Sequence, residues 1–279
     1  MAERILGSGL SLVVHDIREE AAAPLVRRGA SWAGSPRAVA EQCDVVCTCL
    51  PGPGDMEEVV WGRQGLALGI AAGAAYVDFT TNSPTTVKMV HRALAEKGVN
   101  MLDAPVSGGM EGAQTGDLTV LVGGDQATLE RCRPVLEAVG KTIIHVGGAG
   151  AGCVAKITHN CASFSAGLAM IEALTLGVKA GVEPSMLVEV FQKCALGKSF
   201  DLHRRLPETL FRGDFEPRFA LKWTHKDMLL AADLAREYEV PMALVEACER
   251  EMSTAMSRGW GDMDGSIYLT VQEERAGVK

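Results

Sequence analysis

The sequence predicts two domains, a doubly wound α/β layer over residues 1–148 and an all-helical domain over residues 149–279, and three observations carry that prediction. Up to about residue 147, short apolar β-branched runs alternate with segments of helical spacing. Beyond it the strand signals stop while helical spacing continues. A run of small residues, GGAG at 147–150, separates the two regimes. With 279 residues the chain is long enough for two domains of ordinary size, each burying a core.

The strand candidates, in order, are LSLVVHD at 10–16, DVVCTCL at 44–50, AAYVDF at 74–79, VNMLDA at 99–104, LTVLVGG at 118–124 and KTIIHVG at 141–147. Such largely uninterrupted runs suit strands covered on both faces, as in a parallel sheet. The segments at 84–97 and 125–139 carry helical spacing and start signals, Ser83 before Pro84 and Asp125 at the head of its helix. Strand-helix alternation on this scale implies right-handed crossovers and helices on both faces of the sheet.

Residues 151–181 contain almost no breaker and predict one unusually long helix, closed by Gly181. Its apolar residues, Phe164, Leu168, Met170, Ile171, Leu174 and Leu176, lie around most of its circumference. A helix hydrophobic on all sides is buried. We therefore expect it to pack against a second subunit as well as its own domain, in a homodimer or homotetramer; a monomer with a thick helical domain is the other reading. Further helices are expected at 185–194, 222–238 and 243–256, and a loop lining a cleft or an interface at 197–217.

Composition narrows the function classes. Hydrophobic residues make up 47% and charged residues 22%, the balance of a soluble globular protein. A net charge of -8 argues against nucleic acid as the main partner, since phosphate binding needs a concentrated basic surface. There is no apolar stretch of about 18 residues to span a membrane, and MAERILGSG does not read as a signal peptide. None of the eight cysteines forms a CxxC pair, so no metal site is expected. Reduced thiols in a cytoplasm fit best. Cys47 and Cys49 alternate within an apolar run, which would place both on one strand face as small core residues.

The stretch GGAGAGCVAKITHN at 147–160 is the centre of the chemistry. Lys156 stands four positions before Asn160, so on a helix the ammonium and the carboxamide share one face and can reach one small oxygenated molecule. The same stretch also reads as a glycine-rich hinge before a helix whose Lys and Asn face solvent. In open α/β sheets ligands sit beyond the carboxyl ends of the strands. The residues there are Asp16, Leu50 and Pro51, Thr80 to Ser83, and Ser107, Gly108 and Gly109. Each also has an ordinary turn or capping explanation. A Gly-rich turn with a hydroxyl can hold a carboxylate, and an acid at the position of Asp16 can accept hydrogen bonds from a ribose and repel a 2′-phosphate.

With these residues in hand, the chain resembles the β-hydroxyacid dehydrogenases, the family of 3-hydroxyisobutyrate dehydrogenase and tartronate semialdehyde reductase. The matching pieces are TCLPGP at 48–53, VDFTTNSP at 77–84, DAPVSGG at 103–109, GAGCVAKITHN at 150–160 and KD at 226–227, in the family's order. The resemblance implies a Rossmann-like first domain binding NAD, with NADP possible, and hydride transfer to or from a small 3-hydroxy acid or its semialdehyde. It implies that Lys156 is the general acid/base, that Asn160 and Ser107, Gly108 and Gly109 hold the substrate, and that Leu50, Pro51, Thr81 and Lys226 approach the dinucleotide. Asp16 favours NAD, whereas Arg18 leaves room for the extra phosphate of NADP. The chemistry agrees: oxidation of an alcohol needs a group to take the hydroxyl proton, and a desolvated lysine can be neutral enough to do so. Lys156 also separates the chain from the related imine reductases, where a different residue is expected.

One departure stands out. Family members begin with a strand carrying GxGxxG, and nothing of the kind precedes Leu10; GSGLS at 7–11 falls where the family has the end of its first helix. The expectation is a natural product longer by one central strand and one glycine turn, the strand lying between those that end at Asp16 and Leu50. A second reading follows from it: a truncated, catalytically inactive dehydrogenase-like protein acting as an interaction module.

Overall fold

A computed structural model describes residues 1–179, 181–194, 201–237 and 243–278, apart from the side chains of 171–173, 175–177, 179, 201 and 202. The chain divides into two compact units, Met1–Lys156 and Ile157–Lys279. The division falls within one continuous helix.

The first unit alternates strands with helices. Its strands are β1 (Val13–Val14), β2 (Ser31–Trp32), β3 (Val45–Thr48), β4 (Ala75–Asp78), β5 (Asn100–Asp103), β6 (Val106–Ser107), β7 (Leu118–Gly123) and β8 (Gly140–Gly147). The helices are α1 (Ala2–Gly7), α2 (Glu19–Val26), α3 (Pro36–Ala40), α4 (Pro53–Trp61), α5 (Pro84–Ala95), α6 (Gly109–Thr115), α7 (Gln126–Val139) and the first turns of α8 (Ala151–Lys179). Side-chain caps fix several starts: Ser35 accepts from Ala38 N, Ser83 from Thr86 N, and Asp125 from Thr128 N at 2.9 Å.

All six expected strands form, and two further short ones, β2 and β6, join them. Two residues carry too little periodicity to announce a strand. β3, β4 and β5 pair in parallel, as do β7 and β8. The expected all-parallel order fails at one place: β7 runs antiparallel to both β5 and β6. The intervening α6 is a single short helix that turns the chain back beside β6, where a parallel return would need a longer crossover.

β1 pairs with β2 in a separate two-stranded sheet, and no described residue bonds it to β3. On one face of the main sheet Met56, Val60, Val87, Val90 and Leu94 pack beneath Tyr76 and Met101. On the other, Ile5, Leu129, Cys132 and Leu136 pack against Val77, Leu102, Val120 and Val122. Each fully buried aliphatic side chain contributes about 1.5 to 3 kcal/mol. Cys47 belongs to this second cluster, whereas Cys49 lies beyond the end of β3 and is exposed, contrary to the expectation of two core cysteines on one face.

The second unit is helical: the rest of α8, α9 (Pro184–Lys193), α10 (Leu206–Glu208), α11 (Leu221–Glu237), α12 (Ala243–Ser257) and α13 (Thr270–Ala276). Phe164, Leu168, Met170 and Leu174 of α8 are buried, and their core continues into Met228, Val245, Met252 and Tyr268. The side chains of Ile171 and Leu176 lie outside the described residues. So do residues 197–200 of the expected loop and Tyr238, the expected end of its helix. From Asp201 the segment is not a loop but a series of short helical turns, and Leu206 and Leu210 bury themselves in the helical core. Among the described residues no helix is long and apolar enough to cross a membrane, and no cluster of three His, Cys, Asp or Glu could hold a metal.

Candidate active site

The carboxyl ends of β3, β4 and β5 lie in one row, with Thr48 paired to Asp78 and Asp78 to Asp103. Two acids, each 1% exposed or less, therefore stand side by side at the edge where an open α/β sheet takes its ligands. Buried carboxylates are costly unless they accept hydrogen bonds, and each of these is saturated by a different set of donors.

Asp78 accepts from Thr48 Oγ1 at 2.8 Å, from Thr80 N at 3.1 Å and from Asn82 Nδ2 at 3.3 Å. Thr48 Oγ1 in turn accepts from the buried Tyr76 hydroxyl at 2.8 Å. Thr80 Oγ1 accepts from Leu50 N at 2.9 Å, so the network fixes the loop in which Leu50 and Pro51 leave β3. Burial raises the Asp78 carboxyl above the usual range, and the donors from Thr80, Thr48 and Asn82 oppose that rise. The Tyr76 hydroxyl is likewise pushed well up by burial.

Asp103 accepts from Gly150 N at 2.7 Å and from Cys153 N at 2.8 Å. Burial pushes its carboxyl up to about 6 against the pull of those two amides. The Cys153 thiol lies 3.7 Å from Thr80 O, so the first turn of α8 contacts the ends of both β4 and β5. Lys156, one turn further along α8, is buried at 9% exposure, which removes the solvent-facing alternative for this residue.

The other residues singled out in the sequence fall as follows. Thr81 and Leu50 are half-buried and Pro51 exposed at the sheet edge. Ser107 ends β6, and Gly108 and Gly109, at φ 135° and 63°, form a turn that only residues without Cβ adopt freely. Asp16 follows β1, where its Oδ1 accepts from Arg18 N at 2.9 Å. In the second unit Asn160 is buried, and its Nδ2 donates to Asp227 Oδ2 at 2.5 Å. Lys226 Nζ lies 3.0 Å from Asp227 Oδ1. The structure thus gathers Leu50, Pro51 and Thr81 around the Asp78 network, sets Lys156 beside the Asp103 cap, and joins Asn160 to Lys226 through Asp227.

Asp78, Asp103 and Asp227 were not read as site residues from the sequence. The available signal was positional: an acid closing an apolar strand run, or following a lysine in a helix, is burdened with burial and therefore has partners.

A doubly wound sheet whose polar carboxyl edge meets a lysine-bearing helix defines the class of dinucleotide-dependent oxidoreductases. Residues 1–147 match the family described as the NAD binding domain of 6-phosphogluconate dehydrogenase, and residues 150–271 match that described as the NAD-binding domain of NADP-dependent 3-hydroxyisobutyrate dehydrogenase. The chain is 34% identical to 2-(hydroxymethyl)glutarate dehydrogenase of Eubacterium barkeri, over 100% of its own length and 92% of that protein. It is 36% identical to NAD-dependent L-serine dehydrogenase of Pseudomonas aeruginosa, over 96% and 91%. The solved 3-hydroxyisobutyrate dehydrogenase of Mycobacterium tuberculosis with L-serine superposes with a TM-score of 0.89 at 29% identity, covering 97% of this chain and 94% of that one. The chain belongs to the β-hydroxyacid dehydrogenase family, and it is an NAD(P)-dependent dehydrogenase of small hydroxy acids or semialdehydes. Matches to named dehydrogenases over the whole chain do not favour the interaction-module reading.

Proposed function

We propose that the protein transfers a hydride between NAD(P) and a small 3-hydroxy acid or the corresponding semialdehyde, with Lys156 as general acid/base. The observation that carries this reading is a buried lysine one turn beyond a helix start that is bonded to the carboxyl edge of the sheet. The three relatives support the substrate class: the names 2-(hydroxymethyl)glutarate, L-serine and 3-hydroxyisobutyrate share a hydroxymethyl group on the carbon that bears the carboxylate.

Leu50, Pro51 and Thr81, held by the Asp78 network, would support the dinucleotide, with Lys226 approaching it. The edge fits such a group, because the Leu50 backbone is already fixed from beneath by Thr80. When bound, the nicotinamide supplies or accepts the hydride. Lys156 takes the hydroxyl proton in oxidation and returns it in reduction. Asn160 and the Ser107–Gly109 turn would hold the carboxylate or hydroxyl, the turn through backbone amides and the Ser107 hydroxyl.

NAD is favoured over NADP by Asp16, which keeps one carboxylate oxygen beyond the Arg18 amide for a ribose and would repel a 2′-phosphate. We infer further that the domains divide near residue 148, that the apolar α8 packs in a homodimer or homotetramer, and that the protein works in a cytoplasm.

The test is a panel of initial rates with NAD and NADP over short 3-hydroxy acids and their 2-hydroxy isomers, alongside a titration of NADH fluorescence. Turnover of 3-hydroxy acids supports the proposal. Selective turnover of the 2-hydroxy isomers, or no enhancement of NADH fluorescence, sinks it.

A further inference from the structure

The two amides that Asp103 holds occupy defined places on α8. Gly150 is the residue before the first helical position and Cys153 is the third residue of the first turn. A residue within a helix's own N-terminus often satisfies these same two orphan donors. Here the acceptor comes from the end of β5, 47 and 50 positions away in the chain. The approach is close: a Cβ on Gly152 would fall 2.6 Å from Asp103 O and against Leu121 O. The contact thus depends on a glycine between the two bonded amides, and no slack remains for the turn to slide.

We propose that Asp103 is a positioning residue that sets where Lys156 sits, by clamping the first turn of α8 to the carboxyl edge of the sheet. Lys156 follows Cys153 by three residues, so it lies nearly one helical turn above the clamped amide and on a neighbouring ridge. An unfixed first turn frays, and fraying here displaces the lysine directly. Misplacement of a reacting group by about 1 Å costs on the order of a hundredfold in rate. The negative charge of Asp103 also complements the positive end of the helix dipole. Its role differs from that proposed for Ser107, Gly108 and Gly109, which follow in the same DAPVSGG segment and form the turn from β6 into α6. The inference rests on Lys156 being the acid/base group.

The test uses the full chain with Asp103→Asn, Lys156→Ala and the double variant. Asp103→Asn is expected to lower kcat by about a hundredfold while the affinity for NADH stays within about twofold. In the Lys156→Ala background the same replacement is expected to cost little, because the lysine it positions is gone. A purely structural role would lower kcat by the same factor in both backgrounds. A kcat for Asp103→Asn equal to that of the parent, with Lys156→Ala inactive, overturns the inference and leaves the functional reading intact. Full turnover by Lys156→Ala overturns the functional reading itself.

A readout independent of turnover is amide hydrogen exchange in the unaltered protein. Gly150 and Cys153 amides are expected to be the slowest between residues 148 and 156, and exchange at open-loop rates would overturn the clamp even if Asp103→Asn failed to fold.

Discussion

Asn160 Nδ2 lies 2.5 Å from Asp227 Oδ2, and the other oxygen of Asp227 lies 3.0 Å from Lys226 Nζ. One buried carboxylate therefore orients the amide of α8 and restrains the cation of α11. The Asn160 carbonyl oxygen is 3.2 Å from His159 Nδ1, so the amide's orientation is fixed from two sides.

Replacing Asp227 with Ala should destabilise the helical unit by about 2 to 4 kcal/mol, because it strands a buried amide donor and a restrained ammonium. The Asn variant, which can still accept from Asn160, should cost less. Urea unfolding of the two variants checks the order, and equal costs would show that the acceptor and shape kept by Asn contribute nothing and that the lost charge accounts for the whole effect.

Lys156→Ala should lower kcat by about 10²- to 10⁴-fold, the range for removal of a positioned acid/base group. Binding of NADH, followed by fluorescence, should persist. Loss of both together would indicate a collapsed site and not a missing proton carrier.

Thr80→Val keeps the shape of a β-branched side chain and removes the acceptor for Leu50 N. The orphaned amide should cost about 1 to 3 kcal/mol, and the loosened Leu50–Pro51 loop should weaken NADH binding more than it changes kcat. Unaltered NADH affinity would separate the Asp78 network from the nucleotide edge.

The Asp103 carboxyl is raised by burial to about 6, above the ordinary carboxylate value near 3.8 of the unfolded chain. A raised acid contributes its stability fully below pH about 3.8, and that contribution is lost as pH rises through about 6. Over this window the parent should lose on the order of 2 to 3 kcal/mol relative to Asp103→Asn, read as the difference between their urea stability curves. Parallel curves would show that another group titrates there.

Cys49 and Cys194 are exposed, whereas burial pushes the thiols of Cys47 and Cys248 up to about 12. A thiolate is the reacting species, so a colorimetric thiol reagent should modify Cys49 and Cys194 rapidly and leave Cys47 and Cys248 until the protein unfolds. Cys49→Ser should remove part of the rapid phase; its survival undiminished would place Cys49 out of reach.

The alternation of apolar runs with helical spacing gave the doubly wound layer, because strands buried on both faces must be apolar throughout. The long helix with Lys156 four positions before Asn160 was equally legible, since spacing on a helix is a local property. The pairings β5 to β7 and β6 to β7 were not, because strand direction depends on how the chain returns after α6, and that is a property of packing. Nor did the sequence show that Cys49 lies outside the strand that buries Cys47, since one residue past a strand end reverses the environment.

Residue identity alone therefore determined the class of fold, the family and the placing of Lys156 and Asn160 on one helix, which are written in periodicity and contiguous motifs. Only the tertiary structure decided which acids serve them. Asp78 meets Thr48 and Thr80, and Asp103 meets Gly150 and Cys153, because neighbouring strands end at the same level and a buried charge is stable only where distant backbone donors converge on it.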